Sequence, residues 1–215
     1  MQHLFVFALV LSGGLLIAVD AHGRFMRPPN RSSIWRVPEF AGQNPPANYD
    51  DNQLYCGGLH QADEPGSNCG VCGDRASDPT PRPNEIGGTW YRGIITGDYQ
   101  SGQVIDIEID LTTSHLGAME FRLCTNPQTE NQACFNQNVL RIADGPGAGG
   151  TKLPAASTGL MRSRLQLPSG VRCDHCIIQW NYRAGNGWGD CGNGTSASGC
   201  GPQETFRGCS DVRIR

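Results

Sequence analysis

Lysine is nearly missing from this sequence: Lys152 is the only one among 17 basic residues, and the rest are arginines set against 20 acidic residues. Without a basic run or a large charge imbalance, nothing marks a nucleic acid or an anionic membrane as partner. Charged residues are scarce at 17%, and no stretch shows a clear helical repeat of apolar positions, which excludes a coiled coil or a helical repeat protein. Long apolar runs are missing after the first twenty residues, so neither a second membrane segment nor a C-terminal lipid-anchor signal is expected. Glycine and proline, by contrast, are plentiful (29 and 14), and there are ten cysteines.

Leu4 to Val19 is apolar apart from Ser12, Gly13 and Gly14, and leads into Val19-Asp20-Ala21. Small residues at positions −3 and −1 predict a secretory leader over 1–21, cut between Ala21 and His22, although its start carries no lysine or arginine. Residues 22–215 then form one domain, expected as a secreted, extracellular monomer. The sequons at Asn30 and Asn193 fit that route. In an oxidising compartment Cys56, Cys69, Cys72, Cys124, Cys134, Cys173, Cys176, Cys191, Cys200 and Cys209 are expected as up to five disulfides of undetermined pairing. Zinc at Cys69/Cys72 with Cys173/Cys176 is disfavoured, because the pairs lie about a hundred residues apart where zinc ribbons need roughly 15 to 20.

The pattern from Trp90 onward is all-β. In Gln103 to Leu111, Ile105, Ile107, Ile109 and Leu111 alternate with Asp106, Glu108 and Asp110, as in a half-buried strand. Met119, Phe121 and Leu123 repeat the pattern. Further strands are expected at 90–95, 138–142, 160–167, 177–182 and 205–214. About seven strands suit an immunoglobulin- or fibronectin III-like β-sandwich, with two long disulfide-tied loops at 27–88 and 183–203.

Cleavage makes His22 the first residue. A terminal histidine offers its α-amine and its imidazole to one metal ion, and a second imidazole completes a nitrogen set of the kind Cu(II) favours. The chain continues Gly23-Arg24-Phe25-Met26-Arg27-Pro28-Pro29-Asn30-Arg31, and the long strand ends in Leu111-Thr112-Thr113-Ser114-His115. With Asn48-Tyr49-Asp50-Asp51-Asn52, Cys56-Gly57-Gly58, Cys69-Gly70-Val71-Cys72-Gly73-Asp74, Trp180-Asn181-Tyr182-Arg183-Ala184-Gly185-Asn186 and Gly201 to Val212, the sequence resembles the lytic polysaccharide monooxygenases. The insect-type branch, auxiliary activity family fifteen, is the nearest in pattern.

That resemblance implies copper held by His22 and His115, with Phe206 on the axial side. Glu204, sharing strand parity with Phe206, is implied to hydrogen-bond an oxygen co-substrate at the metal. Thr113 departs from the alanine that relatives often carry two places before the second histidine. His175 and His60 are read as packing or surface residues.

The implied activity is oxidative cleavage at C1 or C4 in an insoluble polysaccharide, chitin first and cellulose second, fed by an external electron donor. Tyr49 and Trp188, in the long loops, are candidate sugar contacts. The rival readings are a noncatalytic chitin-binding module of the same fold and a redox-silent copper-binding protein.

Overall fold

A computed structural model describes residues 22–56, 58 and 69–215. The expected leader at 1–21 and His60 lie outside the described residues.

The fold is a β-sandwich. One sheet holds four strands in the order β1 (His22–Arg27), β3 (Val104–Thr113), β7 (Gly159–Gln166) and β5 (Arg141–Asp144). The facing sheet holds five: β2 (Gly97–Tyr99), β11 (Thr205–Ile214), β8 (Cys173–Arg183), β4 (Ala118–Cys124) and β6 (Leu153–Pro154). A hairpin of β9 (Trp188–Asp190) and β10 (Ser196–Ser198) stands apart from both. Described helical structure is limited to one four-residue helix, α1 (Gln132–Phe135), and three 3₁₀ turns.

The alternation read along β3 is the packing itself. Ile105, Ile107, Ile109 and Leu111 are fully buried, and meet Met119, Phe121 and Leu123 of β4 and Ile178, Trp180 and Tyr182 of β8. Each such side chain contributes about 1.5–3 kcal/mol on leaving water. The outer face of β3 carries charge instead: Arg162 donates to Glu108 at 3.0 Å and Arg24 to Asp110 at 2.5 Å.

β11 is buried along nearly its whole length, with Arg31 and Cys72 of the segment after β1 packed on its outer side. Val71, Cys72, Phe135, Ile177 and Cys209 form a second small core there. Its anchor is Arg31, which donates to both carboxylate oxygens of Asp211 (2.7 and 2.6 Å), to Glu130 (2.5 Å) and to the Asn84 carbonyl (2.9 Å). His175 contacts Asp211 at 2.7 Å and stacks on Tyr91. Burial alone raises the Asp211 carboxyl, but the charge and hydrogen bonds of Arg31 and the contact with His175 outweigh it, so it lies below the ordinary carboxylate range. Glu130 receives fewer bonds, and burial holds it above that range.

All ten cysteines are paired: 56–69, 72–209, 124–134, 173–176 and 191–200. Glu130 lies beside Cys72 and Cys209, but their sulfurs are joined to each other, so this cluster has no thiolate for a metal.

Three strand expectations are revised. Residues 90–95 are loop, with Ile94 packed on Ile34 and Phe40 of the 3₁₀ turns, and the strand follows at β2. The run 138–142 serves two sheets: Leu140 donates to Phe121 of β4, and the chain then crosses to pair with β7 as β5. β1 was not expected as a strand; it pairs along β3 with two register shifts. No helix among the described residues is long and apolar enough to cross a membrane.

Candidate metal and substrate site

Antiparallel pairing of β1 with β3 sets His22 opposite Thr113, so His22 and His115, two residues past Thr113, lie at the same end of the four-stranded sheet. The start of β1 is held by polar contacts: Thr112 Oγ1 donates to the His22 carbonyl (3.2 Å), Asn52 Nδ2 donates to Thr112 Oγ1 (3.2 Å), and the Gly23 N–H donates to the Asn52 carbonyl (3.0 Å). Glycine suits position 23, since a Cβ there would stand 3.0 Å from Leu111 Cδ1 and 3.2 Å from the Trp180 ring. Arg24 then reaches Asp51 at 2.9 Å, and this fully buried carboxylate also accepts two bonds from Arg36.

His115 is nearly buried, and its Nδ1 lies 3.1 Å from Glu204 Oε2. An ionised carboxylate only accepts hydrogen bonds, so this contact selects the tautomer with the proton on Nδ1 and leaves the Nε2 lone pair free for a metal. With His22 alongside, the donor set is neutral nitrogen, which fits copper well and calcium or magnesium poorly.

Glu204 sits one residue before β11, and its Oε2 is the oxygen that meets the His115 ring. Phe206 is buried within the sandwich core, stacked on Tyr182 at 5.7 Å and tilted against Tyr55 at 6.3 Å.

Tyr49 and Trp188 are 77% and 73% exposed, the most open of the large hydrophobic side chains described. Tyr49 meets Trp35 edge-on at 5.2 Å, and the Trp35 ring lies under the Arg36 guanidinium. The two aromatics belong to the loops that bind the histidine-bearing segments: Tyr49 is three residues before Asn52, and Trp188 three after Gly185, whose N–H donates to the His115 carbonyl at 2.9 Å. Leu116, beside His115, is also exposed.

Three features of the site have no local sequence signal. Asn52 reads as a loop residue, Tyr182 as an inward strand residue, and Leu116 takes a positive φ of 58° that nothing in its composition announces. The two sequons differ in exposure. Asn30 is 1% exposed and packed on Gly208, so a glycan there is incompatible with the fold, while Asn193 is exposed on the loop closed by Cys191–Cys200.

The family model described as "Lytic polysaccharide mono-oxygenase, cellulose-degrading" matches residues 22–212. Among solved structures, the AA15 lytic polysaccharide monooxygenase from Thermobia domestica in the Cu(I) state is 45% identical, covers 90% of this chain and 98% of its own, and superposes with a TM-score of 0.81. A polysaccharide monooxygenase CBM33 (15% identity, 90% and 100% coverage, TM-score 0.53) and a chitin binding domain from Burkholderia pseudomallei (16%, 91% and 100%, 0.53) share the fold alone. No curated protein sequence matches. On the match from His22 to Val212 and the 45% identity over nearly all of the chain, this protein belongs to the lytic polysaccharide mono-oxygenase family.

Proposed function

We propose that the chain is secreted, is cut before His22, and cleaves crystalline β-1,4-linked polysaccharide with a copper ion held by the His22 α-amine, the His22 imidazole and His115. As a family member it is a copper-dependent oxidoreductase acting on polysaccharide and supplied by an electron donor. The bound copper supplies the one-electron and oxygen chemistry.

The observation that carries the reading is the pairing of His22 with Thr113 beside a His115 whose Nδ1 is already held by Glu204. The family match also begins at His22. The chain's own residues do the positioning. Asn52 and Thr112 fix the start of β1, and Glu204 orients the His115 ring. Phe206, buried and unable to coordinate, gives the site an apolar side. Tyr49 and Trp188 offer ring faces on which sugar rings stack.

Chitin is the first substrate and cellulose the second. Protein beginning at His22 is incubated with each polymer, copper and ascorbate, and soluble products are read by mass spectrometry. Oxidised oligosaccharides that need the reductant, and disappear in His115→Ala, are expected. Products that persist in His115→Ala overturn the site. Binding to chitin with no oxidised product from either polymer overturns the substrate and favours adsorption alone.

A further inference from the structure

We propose that the buried hydroxyl of Tyr182 is a positioning group for the copper site, fixing the backbone of the second histidine. This rests on the reading of His115 as a copper ligand and concerns what holds that ligand in place.

Tyr182 lies in β8, fully buried, with its ring stacked between Trp180 and Phe206. At this end of the sandwich its hydroxyl leaves the apolar core and meets backbone groups of two successive residues. It accepts the His115 N–H at 3.0 Å and donates to the Leu116 carbonyl at 2.8 Å. A tyrosine hydroxyl has one proton and two lone pairs, so both bonds form together.

Within the turn it clasps, the Leu116 N–H donates to Ser114 Oγ at 3.2 Å. Leu116 adopts the left-handed conformation, which a branched side chain disfavours, and its side chain is exposed rather than packed. Gly117 follows with φ 79°, where a Cβ would lie 2.1 Å from the Arg183 carbonyl. The other side of His115 is tied to the same neighbourhood, since its carbonyl accepts from Gly185 just beyond β8. β8 and its extension therefore grip His115 at both backbone groups while Glu204 grips the ring. A ligand held at three points cannot drift by the fraction of an ångström that separates one well-defined coordination geometry from several.

Phenylalanine at 182 would keep the stacked ring and remove only the clasp. The test compares wild type with Tyr182→Phe, His115→Ala and, as a remote core control, Ile107→Val, all beginning at His22. Copper affinity is read by competition calorimetry, the Cu(II) environment by electron paramagnetic resonance, and stability by melting temperature. Tyr182→Phe is expected to weaken copper binding about tenfold and to give a spectrum of mixed species. Ile107→Val is expected to lower the melting temperature while leaving affinity and spectrum unchanged. A Tyr182→Phe spectrum superimposable on wild type with affinity within about twofold overturns the proposal.

His115→Ala separates the two readings. If it binds copper as wild type does, the site assignment is wrong. If it loses copper while Tyr182→Phe does not, only the positioning role is wrong. Should Tyr182→Phe fail to fold, amide exchange in the diamagnetic Cu(I) wild type decides: a His115 N–H as protected as those of β8 supports the clasp, and one exchanging at surface-loop rates overturns it.

Discussion

His115 Nδ1 and Glu204 Oε2 stand 3.1 Å apart, joining the segment just after β3 to the one just before β11 across 89 residues of sequence. The contact ties the two sheets together where the histidines gather, so the orientation of the His115 ring depends on the sandwich being closed.

Glu204→Ala removes that partner and frees the imidazole. Copper affinity is expected to fall about 10- to 100-fold, with a smaller loss in Glu204→Gln, whose amide oxygen can still accept from Nδ1. Isothermal titration with Cu(II) measures both, and equal losses in the two variants would contradict an orienting role.

The buried pair of Arg31 and Asp211 predicts a pH-dependent stability. The Asp211 carboxyl is depressed in the folded chain, so its contribution is fully present above the unfolded value near 4 and is lost as pH falls through the folded one. Asp211→Asn leaves Arg31 buried with one carboxylate fewer, at a cost of about 3–5 kcal/mol at pH 7. Urea unfolding of wild type and variant at pH 7 and pH 2.5 should show the gap narrowing in acid. A gap that widens in acid contradicts the assigned shift.

Cys72–Cys209 closes a span of 137 residues, whereas Cys173 and Cys176 are three apart. Constraint of the unfolded chain grows with the length of the closed loop. Replacing both partners of 72–209 with serine is expected to cost about 2–5 kcal/mol and loosen the covering loop. The same change at 173–176 should cost clearly less, and chemical denaturation of the two double variants ranks them.

Protein secreted from a eukaryotic host is expected to carry glycan at Asn193 and none at Asn30. Asn193 is exposed, and its side-chain oxygen accepts from both the Thr195 backbone and hydroxyl, whereas Asn30 is enclosed against β11. Peptide mass mapping with and without glycosidase gives the occupancy. Glycan at Asn30 would require the segment after β1 to be packed differently.

Much of the fold is written locally. Ile105 to Leu111 alternates with acidic residues, so its inward face is readable from period two, and β4 follows in kind, whereas β8 and β11 are buried on both faces for most of their length. The strands that are not readable are two or three residues long, or, like β1, alternate small, charged and apolar residues too irregularly to show one face. His22 and His115 stand out in the sequence because one follows a run that reads as a cleavable leader and the other a recognisable strand end. Their supports do not: Tyr182 reaches His115 over 67 residues and Arg31 reaches Asp211 over 180, and no periodicity encodes such meetings. Disulfide pairing is hidden for the same reason. Cys69 and Cys72 sit in one Cys-x-x-Cys but serve different partners, because one stays in the loop and the other faces β11.

On the proposed function the metal site is created by the cut before His22, and two proteins that differ by one residue test it. One begins at His22; the other retains Ala21, which converts the α-amine of His22 into a peptide nitrogen. The account predicts tight Cu(II) binding and reductant-dependent oxidised oligosaccharides from the first, and loss of both in the second. Equal copper affinity and equal product from the two proteins would contradict it.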